Sequence, residues 1–179
     1  MKAICLLRAV NVGGRQVKMD QLKAMAVDMG FADARTLLAS GNLVVEAGKA
    51  SSGSLEKAFE AEFQKRFGFH AEFICRTAAE WRALMDACPF PKDAETRGNR
   101  LLCLVPQGRP AADVVEKLEA LAAYGEGIAR VGDIVWIAFS EEGMARSQLA
   151  NAKAMRAFAT PVTGRNWNTV AKLGALAEA

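Results

Sequence analysis

The chain has 179 residues, is 51% hydrophobic and 24% charged, and carries a formal net charge of +3. That composition supports a buried core and excludes a disordered chain, and the net charge is too small to argue for nucleic acid by itself. The apolar runs are too short for a transmembrane helix, and Arg8 interrupts the first of them before a signal-peptide core could form, so a cytoplasmic protein without membrane association is expected.

Lys2 to Val10 is almost continuously apolar and reads as a strand buried on both faces. Gly13 and Gly14 then turn the chain into a helix marked by Met19, Leu22, Ala26 and Met29, with Gly30 as its C-terminal cap. Leu37 to Ala39 and Leu43 to Val45 read as a hairpin around Ser40, Gly41 and Asn42. Leu55, Phe59, Phe63 and Phe67 mark a second helix ending at Gly68, and Ala71 to Cys75 a fourth strand. Thr77 and Glu80 have the spacing of a capping box for a helix reaching Cys88. Pro89 and Pro91, with the polar Lys92 to Arg100 run, are expected to break regular structure.

The second half repeats the order. Leu101 to Val105 is a strand, Val114, Leu118 and Leu121 mark a helix, and Ile128 to Val131 pairs with Ile134 to Phe139. Leu149, Ala152, Met155 and Phe158 form a helical stripe, Pro161 to Thr163 a last strand, and Trp167, Val170, Leu173 and Ala177 a final helix. The reading is an α+β protein of two tandem ferredoxin-like (βαββαβ) halves with an appended C-terminal helix. Residues 1–76 form the first half, 77–99 a helix and Pro-rich linker, and 100–179 the second half with that helix. Several strands are apolar on both alternations, so the open sheet faces need a cover, either each other or the partner of a homodimer.

Arg8, Arg15 and Lys18 flank the glycine turn, and no acid precedes Asp20. Backbone N–H groups at Asn11, Gly13 and Gly14, beside a helix N-terminus, could cradle an anion; a tight turn that simply needs glycine is the structural alternative. From Gly143 to Ala177 five cations occur without one carboxylate. Within that stretch Arg165, Asn166, Asn168 and Lys172 surround the start of the last helix, with Asn166 placed as its N-cap and Trp167 on its apolar face. The two segments are expected to form one anion-binding surface, with Arg8, Arg15, Arg165 and Lys172 as an electrostatic clamp and Ser40, Asn42 or Asn168 orienting the ligand.

No catalytic constellation is complete. Ser40 lacks an evident base, a Ser–Lys pair with Lys18 stays open, and His70 is the sole histidine. Cys5, Cys75, Cys88 and Cys103 are scattered singly, without metal-ligand spacing, and Cys5, Cys75 and Cys103, in apolar strand-like runs, read as buried, inert thiols; no metal or cofactor is implied.

Arg8, Asn11, Val12, Gly13, Gly14, Met19, Leu22, Gly30, Phe31, Arg35, Thr36, Ser40, Gly41, Asn42 and Val44 occur in the order of a known family. Phe67, Gly68, Pro89 to Pro91, Arg146, Ser147, Leu149 and the Arg165 to Leu173 block continue the match. The chain resembles bacterial proteins grouped as domain of unknown function 1697. The resemblance implies duplicated ferredoxin-like halves and no reaction. Ala9 stands where that family more often has glycine, which suggests that backbone freedom there is dispensable. Gln148 stands where lysine is expected, which weakens the case for a cation at that position. The functional expectation is binding of a phosphorylated or nucleotide-like anion at a basic, glycine-containing surface. A nucleic-acid or other polyanion module, and a structural or assembly protein without ligand, are the alternatives.

Overall fold

Strand β1 (Lys2–Leu7) is apolar on both alternations because it is central: it pairs antiparallel with β3 (Asn42–Glu46) on one side and β4 (Phe73–Thr77) on the other. Ala3, Ile4, Cys5 and Leu6 are all fully buried. The computed structural model describes residues 1–11, 13–141 and 143–179; Val12, one residue of the family resemblance, lies outside them. The chain divides into two compact units, Met1–Arg82 with Leu173–Ala179, and Ala83–Lys172.

In the first unit β2 (Arg35–Thr36) completes a four-stranded antiparallel sheet of order β2-β3-β1-β4. Helices α1 (Met19–Asp28) and α2 (Ser52–Phe67) supply Leu22, Met25, Phe59 and Phe63 to a core with Cys5, Leu7, Leu43 and Phe73. Gly68 ends α2 in the left-handed conformation, φ +76°, as a helix C-cap requires. The expected hairpin differs in detail: Leu37–Ala39 is not a strand, Leu38 has φ +61° and is half exposed, and the pairing partner of β3 is the polar pair Arg35–Thr36.

The outer edge of β4 is closed by a helix. Glu60 and Glu56, one turn apart on α2, accept hydrogen bonds from the N–H groups of Phe73 (3.0 Å) and Cys75 (2.9 Å). Four helical residues advance about 6 Å and two strand residues about 6.8 Å, so the two carboxylates match two outward N–H groups that would otherwise offer an open edge. Burial pushes the Glu56 carboxyl above its usual range, against the Cys75 N–H and the Arg76 guanidinium, which favour the charged form. A carboxyl with a raised folded-state value contributes stability below its unfolded value, and loses it as pH rises through the folded value. Glu56→Gln, which keeps the acceptor, should therefore gain stability relative to the parent as pH rises from about 4 to 7. Urea unfolding across that range reads the sign; a relative loss would mean that the ionised form is the better one here.

Cys5 and Cys75 are opposite each other in the β1–β4 register, with Cα atoms 4.1 Å apart, and form a disulfide. The Cys75 N–H points outward to Glu56, so this is a non-hydrogen-bonded pair, the closer of the two antiparallel types. The expectation of inert, separate thiols is corrected for these two; Cys88 and Cys103 are not disulfide-bonded.

Helix α3 (Ala78–Asp86) begins with the expected capping box: Thr77 Oγ1 accepts from Glu80 N–H (3.2 Å), and Glu80 Oε2 accepts from Thr77 N–H (2.7 Å). The Pro-rich segment is not irregular. Pro91 takes the first position of α4 (Pro91–Arg97), where its missing N–H has no consequence, and a 3-10 turn at Gly98–Arg100 leads into β5 (Leu101–Pro106).

The second unit's sheet has order β6-β7-β5-β8, which repeats the first strand for strand. Its strands are β5, β6 (Gly127–Val131), β7 (Ile134–Ala138) and β8 (Val162–Asn166). Helices α5 (Val114–Glu119) and α6 (Ala152–Arg156) pack Val114, Leu118 and Ala154 against Leu104, Val135, Ile137 and Phe158. The expected stripe from Leu149 to Phe158 is two pieces, because Asn151 stops a 3-10 turn and caps α6 through Lys153 and Ala154 N–H. Helix α7 (Trp167–Glu178) ends the chain.

Candidate functional site

The glycine turn leaves β1 at Arg8, whose charge is matched by a residue far along the chain. Arg8 Nη1 donates to Glu72 Oε1 at 3.1 Å and its backbone N–H to the Glu72 carbonyl at 3.0 Å. Asn11 is spent on the loop itself. Its Oδ1 accepts from Val17 N–H (2.7 Å), its Nδ2 donates to the Ala39 carbonyl (2.6 Å), and its own N–H donates to the Arg15 carbonyl (2.7 Å). That single side chain closes the turn and ties it to the Leu38–Gly41 connection.

Ala9 and Asn11 have φ of +56° and +58°, and Gly13 and Gly14 follow at +61° and +86°. The suggestion drawn from Ala9 is thereby corrected: the left-handed backbone is present, and alanine adopts it at a cost of about 1–2 kcal/mol. A side chain at Gly13 or Gly14 would meet nothing within 4 Å, so these two glycines serve backbone conformation and open access, not packing. Arg15 is exposed, its guanidinium 5.9 Å from the centre of the Phe69 ring. Lys18 is exposed and precedes α1, its N–H donating to Gln21 Oε1 at 3.4 Å. Asp20 already sits in the first turn of α1, so that helix end is partly neutralised and the cations count for more than the dipole.

Ser40 is exposed, whereas Asn42 is fully buried. Asn42 Nδ2 donates to the Leu37 carbonyl (2.7 Å) and to Ser40 Oγ (3.0 Å), so the amide holds the turn.

In the second unit Arg165 projects from β8 and is 6% exposed. Its Nη1 donates to Thr163 Oγ1 and to the Gly164 carbonyl, both at 2.8 Å. Burial lowers its pKa to about 10, which leaves it charged at neutral pH. Asn166 is the N-cap the sequence suggests: its Oδ1 accepts from Thr169 N–H (3.0 Å) and from Thr169 Oγ1 (3.1 Å). Asn168 and Lys172 are exposed.

One basic feature escaped sequence reading. Lys117 from α5 joins Lys153 and Arg156 from α6 around a cavity of about 460 Å³ floored by Ala120, Leu121 and Ala157. Lys117 is paired with Asp113 at 2.9 Å, while Lys153 and Arg156 have no ion-pair partner among the described residues. The acid-free run from Gly143 to Ala177 was the only signal of it. Among the described residues no three His, Cys, Asp or Glu side chains gather as metal ligands, and no helix is long and apolar enough to cross a membrane.

Residues 1–136 match the model of the family described as protein of unknown function (DUF1697). The conserved bacterial protein SP0830 from Streptococcus pneumoniae has a similar fold, with a TM-score of 0.77 and 22% sequence identity over 99% of this chain and 98% of that one. Among curated proteins none matches the chain. With three quarters of its length covered by one family model, the chain belongs to the DUF1697 family.

Proposed function

We propose that the protein binds a small phosphorylated or nucleotide-like anion at the glycine turn of its first unit. The observation that carries this reading is the pairing of two open, left-handed glycines with two exposed cations, Arg15 and Lys18, that have no acidic partner among the described residues. Asn11 pins the loop beneath them, so little ordering entropy is lost when an anion settles on the backbone N–H groups. Arg8 and Asn42 support the loop, and the exposed Ser40 accepts from Asn42 beside it. The test is a thermal-shift series with inorganic phosphate and nucleotides at low salt, on the parent and on an Arg15→Ala/Lys18→Ala variant. Saturating ligand should raise stability by about 2–3 kcal/mol, and the double variant should bind about tenfold or more weakly. No stabilisation by any of these compounds, or an unchanged response in the variant, overturns the proposal.

A second reading, a polyanion such as nucleic acid, is favoured by the basic groove of Lys117, Lys153 and Arg156. It requires affinity that falls steeply with salt, and Lys153→Ala with Arg156→Ala should flatten that slope.

We further read each unit as a ferredoxin-like half of an internal duplication, a reading supported by the identical strand orders. The setting we propose is cytoplasmic. Disulfides are uncommon there, and this one persists because both bridged cysteines are fully buried and so shielded from thiol exchange.

A further inference from the structure

Backbone strain gathers beside the glycine turn of the first unit. Of the non-glycine residues with positive φ among those described, Ala9, Asn11 and Leu38 lie in the two connections that meet there, and only Ala159 lies elsewhere. Ala9 and Asn11 belong to the turn, and Asn11 spends its side chain on closing it. Leu38 does neither: it takes φ +61° and is 51% exposed. A singly exposed leucine is ordinary, but none of the other large exposed hydrophobics, Met1, Val27, Tyr124, Val131 and Met144, is held at positive φ. A connection that needed only the left-handed conformation would be better served by glycine or asparagine. Leucine there combines a conformational cost with an apolar side chain left in water, and backbone outliers of this kind point to function.

The backbone on either side of Leu38 is pinned. Leu37 N–H donates to the Asn42 carbonyl at 3.1 Å, and the Leu37 carbonyl accepts from Asn42 Nδ2 at 2.7 Å. On the other side the Ala39 carbonyl accepts from Asn11 Nδ2 at 2.6 Å, and Asn11 N–H donates in turn to the Arg15 carbonyl at 2.7 Å. Leu38 is thereby tied through Ala39 and Asn11 to one of the two exposed cations of the turn. Its side chain stands on a fixed backbone, so a ligand that covers it loses little to ordering. The Phe69 ring is already faced by the Arg15 guanidinium, 5.9 Å from its centre, which leaves Leu38 to offer apolar surface. A bare phosphate has nothing to place on a leucine, whereas a phosphate that carries a flat, weakly hydrated ring gains by covering it.

We propose that Leu38 sets the ligand class of this site: a nucleoside phosphate, its phosphate on the glycine turn and the face of its base on the Leu38 side chain. The inference rests on the anion-binding reading above and narrows it from phosphorylated compounds in general to those with a base. The whole chain is titrated by calorimetry at low salt with adenosine monophosphate and with ribose 5-phosphate, which keeps the sugar and the phosphate and lacks the base. The parent should bind the nucleotide about fivefold or more tightly than the sugar phosphate. Leu38→Asn, which suits the left-handed backbone and removes the apolar surface, should bring the nucleotide to within about twofold of the sugar phosphate. Leu38→Met, which keeps an apolar side chain, should retain the preference, and Arg15→Ala/Lys18→Ala should weaken both ligands. Equal binding of the two ligands by the parent, an undiminished preference in Leu38→Asn, or a preference lost in Leu38→Met as fully as in Leu38→Asn overturns this inference and leaves the anion site standing. If neither ligand nor inorganic phosphate binds the parent, the anion-binding reading falls and this inference with it.

Discussion

Gly41→Ala is expected to destabilise the first unit by about 2–5 kcal/mol. Two separate causes add. The position has φ +79°, a left-handed conformation that costs an L-residue about 1–2 kcal/mol. A Cβ there would also stand 2.8 Å from Leu7 Cβ and 2.8 Å from Val10 Cγ2, and both neighbours are buried. Leu7 cannot yield, because the clashing atom is its Cβ and its N–H is bonded to the Gly41 carbonyl at 2.8 Å. Such overpacking adds about 1–3 kcal/mol. Gly14→Ala provides the internal control, since φ +86° there is accompanied by open space. Urea unfolding should rank Gly41→Ala well below Gly14→Ala, whose loss should stay within the conformational range. Equal losses for the two would show that the close approach to Leu7 and Val10 contributes nothing.

That comparison also marks where sequence reading succeeds and where it stops. The turn at Gly13 and Gly14, the caps at Thr77, Gly68 and Asn166, and the central strands β1 and β5 are all written in local spacing: an apolar run, a glycine past a periodic stripe, a polar residue three before an acceptor. Local spacing misleads when tertiary packing decides. Leu37–Ala39 resembles a strand more than Arg35–Thr36 does, yet the β3 edge pairs with the latter, since the turn held by Asn42 needs Leu38 in a left-handed conformation. Pro89 and Pro91 suggested a break, but a proline at the first helical position starts α4, and the Asp93–Arg97 ion pair one turn apart was already visible in the sequence as support for it.

The candidate site divides the same way. Arg15, Lys18, Gly13 and Gly14 could be named because their neighbours in sequence are their neighbours in space. Asn11 and Asn42 carry the same residue type as a ligand-binding amide, and only their partners, Ala39 and Leu37 carbonyls, reveal a structural use. Arg8 meets Glu72 across 64 residues, and Lys117 meets Lys153 and Arg156 from a separate helix; no window of sequence contains either grouping. Trp167 was placed on the correct face of α7 by periodicity, but periodicity says nothing about a cavity beside it.

The longest-range feature carries the other large expected effect. Cys5 and Cys75 close a loop with a sequence separation of 70, and in the chain-entropy description a cross-link of that span removes about 4 kcal/mol of conformational freedom from the unfolded state. The native side of the balance is quiet: both residues lie within the apolar core with Leu7, Leu43 and Phe73, and the Cys75 N–H is bonded to Glu56 whether or not the sulfurs are joined. Reductant should therefore act through the unfolded state. With both residues fully buried, thiols are released only as the first unit opens, so native protein should resist alkylation while unfolded protein should not. Equilibrium urea unfolding in the presence of a phosphine reductant is expected to show a midpoint lower by roughly 1.5–3 M for the first unit. Intact mass after alkylation in denaturant, without reductant, should count two modified cysteines, Cys88 and Cys103. Four modified cysteines, or an unchanged midpoint under reduction, would mean that β1 and β4 are held together by the sheet alone.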